Sequence, residues 1–83
     1  MAEKELNKII ATLDELKEDI TIPKNVKIKV QNIIKTLEEN SELSIKANKA
    51  LNELDEIAND TNVESYTRTQ IWNIVSLLEK INH

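Results

Sequence analysis

Residues 13–19 read LDELKED, and residues 54–60, which lie 41 positions later, read LDEIAND. Shifting the whole chain by 41 residues aligns its two halves without a gap and gives ten identities in 41 aligned positions. A repeat of about 40 residues in a helical chain is typical of two copies of one αα-hairpin. The sequence therefore predicts a single domain over residues 1–83, with internal repeats at about 1–41 and 42–82.

The spacing of apolar residues predicts two helices in each repeat. Apolar side chains recur three or four residues apart in four segments, which gives each segment one apolar stripe. The predicted helices are Ala2–Asp19, Pro23–Glu39, Glu42–Asn59 and Glu64–Ile81. Asn40 is expected to adopt a left-handed conformation at the end of the second helix, and Ser41 is expected to cap the third. Because the loops are short, we expect an all-α fold of four antiparallel helices, arranged as two tandem αα-hairpin repeats in a four-helix bundle.

The composition argues against several classes of enzyme and metalloprotein. The chain has no Cys, no Gly and a single His, the terminal His83. It therefore lacks material for disulfides, thiolate metal sites, Gly-rich phosphate loops and Ser–His or Cys–His nucleophiles. The repeated acidic clusters 14–19 and 55–60 lack the spacing of a calcium loop. We expect no catalytic residue, no cofactor and no metal, and a protein that is not an enzyme.

Charge and hydropathy predict where the protein resides. The longest purely apolar run is three residues, and the formal net charge is −4. Such a chain is too polar to span a membrane, and its charged first residues do not resemble a signal peptide. The absence of Cys fits a reducing compartment. The sequence therefore predicts a cytoplasmic protein that does not bind membranes.

The best candidate for a binding surface lies on the second helix of each repeat. Lys24, Lys27 and Lys35 fall within a narrow arc of the second helix, and the equivalent arc of the fourth carries Arg68 and Trp72. Arg68 and Trp72 are four residues apart, close enough for the guanidinium to lie over the indole. Arg and Trp are also frequent at binding hot spots. One interpretation is a docking surface for an acidic partner; the other is that the lysines are merely solvated and Trp72 packs in the core.

Two asparagines at equivalent positions are predicted to have a structural role. Asn32 and Asn73 directly precede core positions in the second and fourth helices. We expect both to be half-buried and to form hydrogen bonds between the repeats or to a turn, because a buried Asn fixes the register of packed helices.

Two segments carry a resemblance to a known family. Residues 54–60 (LDEIAND) and residues 67–75 (TRTQIWNIV) resemble the signature of a small archaeal family of uncharacterised proteins, and the similarity reaches Pro23. The resemblance implies an archaeal, cytosolic and all-helical protein. It implies no activity, cofactor or functional residue.

The sequence does not define an activity, and it leaves two hypotheses. The first is a non-catalytic protein-interaction module that uses the outer faces of the second and fourth helices. The alternative is an RNA- or ribosome-associated accessory factor that uses a strip of Lys24, Lys27, Lys35 and Arg68. Salt dependence separates the two hypotheses, because nucleic-acid binding weakens steeply as salt rises. Monomer and homodimer both remain open.

Overall fold

Residues 2–82, the part of the chain that the computed structural model describes, form four α-helices: α1 (Ala2–Lys17), α2 (Lys24–Glu38), α3 (Leu43–Ala58) and α4 (Ser65–Ile81). The all-α prediction is confirmed. His83, the single histidine of the sequence, lies outside the described residues. Each helix of the second repeat begins 41 residues after its counterpart in the first, as the alignment predicts.

The helices form a four-membered ring in cross-section. α1 and α3 each pack against α2 and α4, whereas α1 lies diagonal to α3 and α2 lies diagonal to α4. An exchange of the two hairpins therefore moves each helix to the diagonal position and keeps its direction. A rotation about a pseudo-two-fold axis that runs along the bundle produces this exchange. Residues that are equivalent in the two repeats consequently lie on opposite sides of the molecule.

One apolar cluster joins all four helices. The predicted stripes supply it, and the two hairpins bury their apolar sides against each other. Ala47, Ala50 and Ala58 of α3 are all buried, and their small side chains allow neighbouring helices to approach closely. Val63 and Thr67, at the entrance to α4, are also buried. These contacts fix the relative position of the helices and so define the outer faces of the bundle.

The helix ends differ from the prediction by one or two residues. α2, α3 and α4 each follow an extended residue (Pro23, Glu42 and Glu64) whose carbonyl accepts a hydrogen bond from the backbone N–H four residues later. Ser41 is therefore not the cap of α3, because Glu42 takes that position without a side-chain hydrogen bond.

The prediction of a left-handed residue at Asn40 is wrong. No residue between 2 and 82 has a positive φ angle. α2 instead ends at Glu38 and is followed by Glu39, which has an extended conformation with φ −64° and ψ 150°. Its N–H donates to the Thr36 carbonyl, and this single tight turn ends the helix without a left-handed residue.

None of the helices in residues 2–82 combines the length and the apolarity that crossing a lipid bilayer requires.

Candidate functional site

A shallow groove of about 550 Å³ lies at the turn between α1 and α2 and continues onto the outer surface of α2. We call it the α2 groove. Isoleucine and lysine side chains dominate its lining, which consists of Asp19, Ile20, Ile22, Lys24, Lys27, Ile28 and Gln31. Ile20 is 97% exposed and Ile28 is 49% exposed. Contiguous exposed apolar patches that are rimmed by polar residues often mark interaction sites.

The second repeat shows that the fold does not require these isoleucines. The positions equivalent to Ile20 and Ile28 are Thr61 and Thr69, which occupy the same places in the α3–α4 turn and on α4. Both threonines are exposed, so this backbone tolerates polar residues at these sites. An exposed isoleucine at these two positions is therefore particular to the first repeat.

The lysines of the α2 groove lack carboxylate partners among residues 4–82. Among residues 4–82, the ion pairs are Lys17 with Asp14 (3.2 Å) and Lys29 with Glu56 (3.9 Å). Lys24 and Lys27 are exposed and form no ion pair with any of those residues. Their charges are therefore available to an external anionic group.

Lys35 extends the cationic surface along α2. It lines a second depression of about 320 Å³ together with Gln31, Asn32 and Lys17, among others. Gln31 also lines the α2 groove, so the two depressions are adjacent. The three lysines predicted from sequence thus lie along one continuous side of the bundle.

The turn that supports the α2 groove is ordered by Asp19. Its Oδ1 accepts hydrogen bonds from the Thr21 backbone N–H (2.8 Å) and hydroxyl (2.7 Å). The Thr21 hydroxyl, followed by the Thr21 N–H, lowers the pKa of the Asp19 carboxyl. Asp60 has the same role in the second repeat, where its Oδ1 accepts the Asn62 N–H at 2.9 Å. These two acidic residues therefore organise turns.

Arg68 is positioned by a different set of contacts. Its Nε donates to the Ala58 carbonyl (3.0 Å), and its Nη2 donates to the carbonyls of Asp60 (3.0 Å) and Val63 (3.3 Å). The side chain is half-buried and links the end of α3 to the start of α4. Because the guanidinium is occupied by backbone carbonyls, Arg68 has a structural role that the sequence prediction did not anticipate.

Trp72 is 46% exposed, so it is not a core residue. It lies on α4, however, diagonal to the helix that carries the three lysines. The strips on α2 and α4 are therefore on opposite sides of the bundle. One flat partner surface cannot contact both, which corrects the sequence expectation of a single combined patch.

The structure also contradicts the prediction for Asn32 and Asn73. Both side chains are exposed, and within residues 4–82 neither forms a side-chain hydrogen bond. They directly precede buried residues in sequence, but one step along a helix turns a side chain by about 100°. Within residues 4–82, the polar side-chain contacts between the repeats come instead from Asn25 with Asp60 (3.5 Å), Lys46 with the Glu39 carbonyl (3.2 Å) and Lys29 with Glu56 (3.9 Å).

One carboxyl group of the described residues has an unfavourable environment. Glu53 on α3 has a buried Oε2 without a hydrogen-bond partner. Desolvation raises the pKa of Glu53, repulsion from Glu56 raises it further, and Lys29 partly opposes the shift. No group of three potential metal-ligating side chains occurs within residues 2–82, so this carboxyl does not belong to a metal-like cluster.

Sequence reasoning identified the lysines but missed Ile20, Ile22 and Ile28. The alignment of the two repeats contained the signal, because Ile20 and Ile28 pair with Thr61 and Thr69. An apolar residue whose equivalent is a polar surface residue indicates a requirement other than folding.

Comparison with known proteins assigns a family but no activity. The model of the uncharacterised protein family UPF0147 matches residues 1–81. No curated protein matches the chain.

Two solved structures are similar over nearly the whole chain. One is the crystal structure of a protein from Thermoplasma acidophilum that belongs to the uncharacterized family UPF0147. Its sequence is 39% identical and its TM-score is 0.90, and the match covers 95% of this chain and 94% of that one. The other is the crystal structure of a protein of unknown function, MMP1188, which is 40% identical with a TM-score of 0.88 and covers 95% of this chain and 91% of that one. The family resemblance read from residues 54–60 and 67–75 is thereby confirmed.

Proposed function

We propose that this chain, which belongs to the uncharacterised protein family UPF0147, is a non-catalytic protein-interaction module that binds an acidic segment of another protein in the α2 groove. The observation that carries the proposal is the exposure of Ile20 (97%) and Ile28 (49%) beside Lys24 and Lys27, which form no ion pair with a carboxylate of residues 4–82. We further propose a cytoplasmic location and an archaeal source, in keeping with the family resemblance.

The chemistry of the α2 groove defines the partner. Its exposed isoleucines favour a segment with one or two aliphatic or aromatic anchors, since burying an Ile side chain contributes about 1.5–3 kcal/mol. Lys24 and Lys27 at its edge favour carboxylates and disfavour basic segments. The expected ligand is therefore a short acidic segment with apolar residues, in which the anchors supply affinity and the charges supply specificity.

The α2 groove supports binding better than catalysis. It is open to solvent, and its lining contains one carboxyl, that of Asp19, which is already engaged by Thr21. A general acid or base usually requires a sheltered group with a pKa near neutrality. The lowered pKa of Asp19 keeps that carboxyl ionised and unsuited to proton transfer at neutral pH.

An RNA-binding role receives less support from the same geometry. Arg68 is held by loop carbonyls on the opposite side of the bundle, so the predicted four-residue cationic strip is reduced to three lysines. Exposed isoleucines also add little to a phosphate-binding surface. RNA binding is therefore the weaker alternative, and its dependence on the lysines alone distinguishes it from peptide binding.

The test is a selection of peptides from a random display library on the wild-type protein. The variant Ile20→Thr/Ile28→Thr serves as the counter-selection, because it copies the residues of the second repeat. We expect enriched peptides to combine Asp or Glu with apolar residues. In fluorescence anisotropy, their affinity should fall about tenfold or more in the threonine variant and in Lys24→Ala/Lys27→Ala, which is the range of interface hot spots.

The controls separate loss of binding from loss of fold. The free energy of unfolding of the threonine variant should be within about 0.5 kcal/mol of the wild-type value, because only exposed side chains change. Trp72→Gln, on the far side of the bundle, should bind the peptides normally. Selection of basic peptides, or equal binding by the threonine variant, would overturn the proposal. A labelled single-stranded RNA whose binding depends on the lysines but not on the isoleucines would favour the alternative.

A further inference from the structure

A small pocket lies between α1 and α4, close to the turn that follows α1. We call it the α1–α4 pocket; its volume is about 100 Å³, and its lining consists of Thr12, Glu15, Leu16, Asp19, Tyr66 and Gln70. Pockets that hold whole small molecules usually measure about 300–1,000 Å³. This one therefore fits the end of a single side chain. Two of its lining residues are carboxylates, and none of them is a lysine or an arginine.

The pseudo-two-fold provides a comparison for this pocket within the same molecule. The contact between α1 and α4 corresponds to the contact between α3 and α2. In the order given above, the residues equivalent to the lining are Glu53, Glu56, Ile57, Asp60, Asn25 and Lys29. Both carboxylates of the pocket thus have acidic equivalents, whereas the equivalent of Gln70 is a lysine.

Between α2 and α3, the side chains of α2 reach across to the carboxylates. Lys29 Nζ lies 3.9 Å from Glu56 Oε2, and Asn25 Nδ2 donates to Asp60 Oδ2 at 3.5 Å. Lys29 also opposes part of the rise in the pKa of Glu53. The second copy of this arrangement therefore contains an ammonium group, supplied by the chain itself.

In the α1–α4 pocket, the two side chains of α4 bond to each other instead. Gln70 Nε2 donates to the Tyr66 hydroxyl at 2.9 Å. Within residues 4–82, Glu15 forms no ion pair, and Asp19 accepts its side-chain and turn hydrogen bonds on Oδ1 alone. Glu15 and Oδ2 of Asp19 therefore border an open pocket without the cation that their equivalents have.

We propose that the α1–α4 pocket binds the side-chain ammonium of a lysine from a partner protein. The three N–H donors of an ammonium can contact both carboxylates and the Thr12 hydroxyl oxygen. Tyr66 is 65% exposed, so its ring has surface left for the aliphatic stem to cover. Lysine stems commonly pack on apolar surface in this way while the charged end stays near water.

The donor set suits an ammonium better than a metal ion. Calcium takes six to eight oxygen ligands and magnesium demands near-octahedral geometry. The pocket offers two carboxylates, and residues 2–82 contain no group of three potential metal-ligating side chains. Lys29 is the internal example of the group that fits.

The inference does not depend on the proposed function. The α1–α4 pocket and the α2 groove are adjacent, because Asp19 lines both. Their chemistry is opposite, however, since the groove presents lysines and isoleucines and the pocket presents carboxylates. Each site can therefore be tested with its own probe.

The experiment is an NMR titration of the intact protein with Nα-acetyl-lysine methylamide at constant ionic strength. We expect saturable shifts at the amides of Thr12, Glu15 and Gln70 and at the ring of Tyr66, the single tyrosine. The dissociation constant should be on the order of 10 mM, because ion pairs near the surface are weak. The same probe acetylated on its side-chain nitrogen keeps the stem but loses the charge, and it should give no saturable shift.

Two variants test the role of the pocket. Gln70→Lys copies the second repeat and supplies an internal ammonium, so it should weaken binding of the lysine probe about tenfold or more. Glu15→Gln removes one exposed carboxylate and should weaken binding about threefold or more. Ile20→Thr/Ile28→Thr should bind the lysine probe like the wild type, even though it is expected to lose peptide binding.

Three results would overturn the inference. The first is the absence of saturable shifts at the pocket residues, and the second is equal binding of the acetylated probe. The third is unchanged binding by both Gln70→Lys and Glu15→Gln with normal far-UV circular dichroism. Pentylamine, a free amine of the same charge, separates a small-molecule ligand from a protein side chain: a much higher affinity than that of the lysine probe would assign the pocket to free amines instead.

Discussion

Replacement of Arg68 by Ala is the most informative change in this protein. It removes the hydrogen bonds to the carbonyls of Ala58 and Asp60 (both 3.0 Å) and the longer one to Val63 (3.3 Å). A hydrogen bond from a charged donor contributes about 1.5–3 kcal/mol, and the lower value applies where water can replace the donor. Two such bonds give about 3 kcal/mol, from which about 1 kcal/mol is subtracted for ordering the side chain.

The expected loss in the free energy of unfolding is therefore about 2 kcal/mol. This is a large part of the stability of a chain of 83 residues, for which about 4–12 kcal/mol is typical. The corresponding decrease in Tm is about 8–16 °C. Urea and thermal unfolding followed by far-UV circular dichroism measure both quantities.

The matched control is Lys27→Ala, the same change at the equivalent position of the first repeat. Lys27 is exposed and forms no ion pair with a carboxylate of residues 4–82, so the expected loss is below about 0.5 kcal/mol. If both variants lose the same stability, the carbonyl contacts of Arg68 contribute nothing specific and the assignment of a structural role to this residue is refuted. Loss of partner binding in Arg68→Ala without loss of stability would restore it to the candidate binding residues.

Two further predictions concern stability. Glu53→Gln should raise the free energy of unfolding at neutral pH, because the raised pKa of Glu53 means that its charged form destabilises the native state. The gain should shrink to nothing as the pH falls below 4.5, the ordinary pKa of a Glu carboxyl. Urea unfolding from pH 3.5 to 7.5 measures this gain, and a gain that does not depend on pH would contradict the prediction. Lys27→Arg should reproduce in the first repeat the contacts that Arg68 makes in the second. The Tm should then rise by about 4–8 °C for each kcal/mol gained in the free energy of unfolding. A Tm equal to that of the wild type would show that the α1–α2 turn does not present its carbonyls in the same way.

Much of the candidate surface was readable from the chain before folding was considered. The lysines at 24, 27 and 35 share one arc of α2 because helical periodicity alone brings them together, and the structure leaves all three exposed. The contrast between Ile20 and Thr61 was also present in the repeat alignment. Its meaning became clear only when the structure showed that the isoleucine is 97% exposed.

Local chemistry likewise set the helix boundaries, although competing side-chain contacts moved them. α1 was predicted to reach Asp19 but ends at Lys17, because Asp19 turns its carboxylate towards Thr21 instead of continuing the helix. Asn40 is not needed as a left-handed terminator, because the chain leaves α2 in an extended conformation at Glu39. Patterns of apolar residues do not resolve such differences.

The sequence by itself determined the four helices, their apolar stripes and the duplication, because all three follow from the spacing of residues along the chain. Only the tertiary structure decided that α2 and α4 are diagonal, that Arg68 is held by the loop, and that Trp72 faces away from the lysines. The physical reason is that periodicity specifies which side of a helix is buried but not which helices are neighbours in the bundle. That choice depends on packing between residues far apart in sequence, and it separates one predicted binding patch into two opposite surfaces.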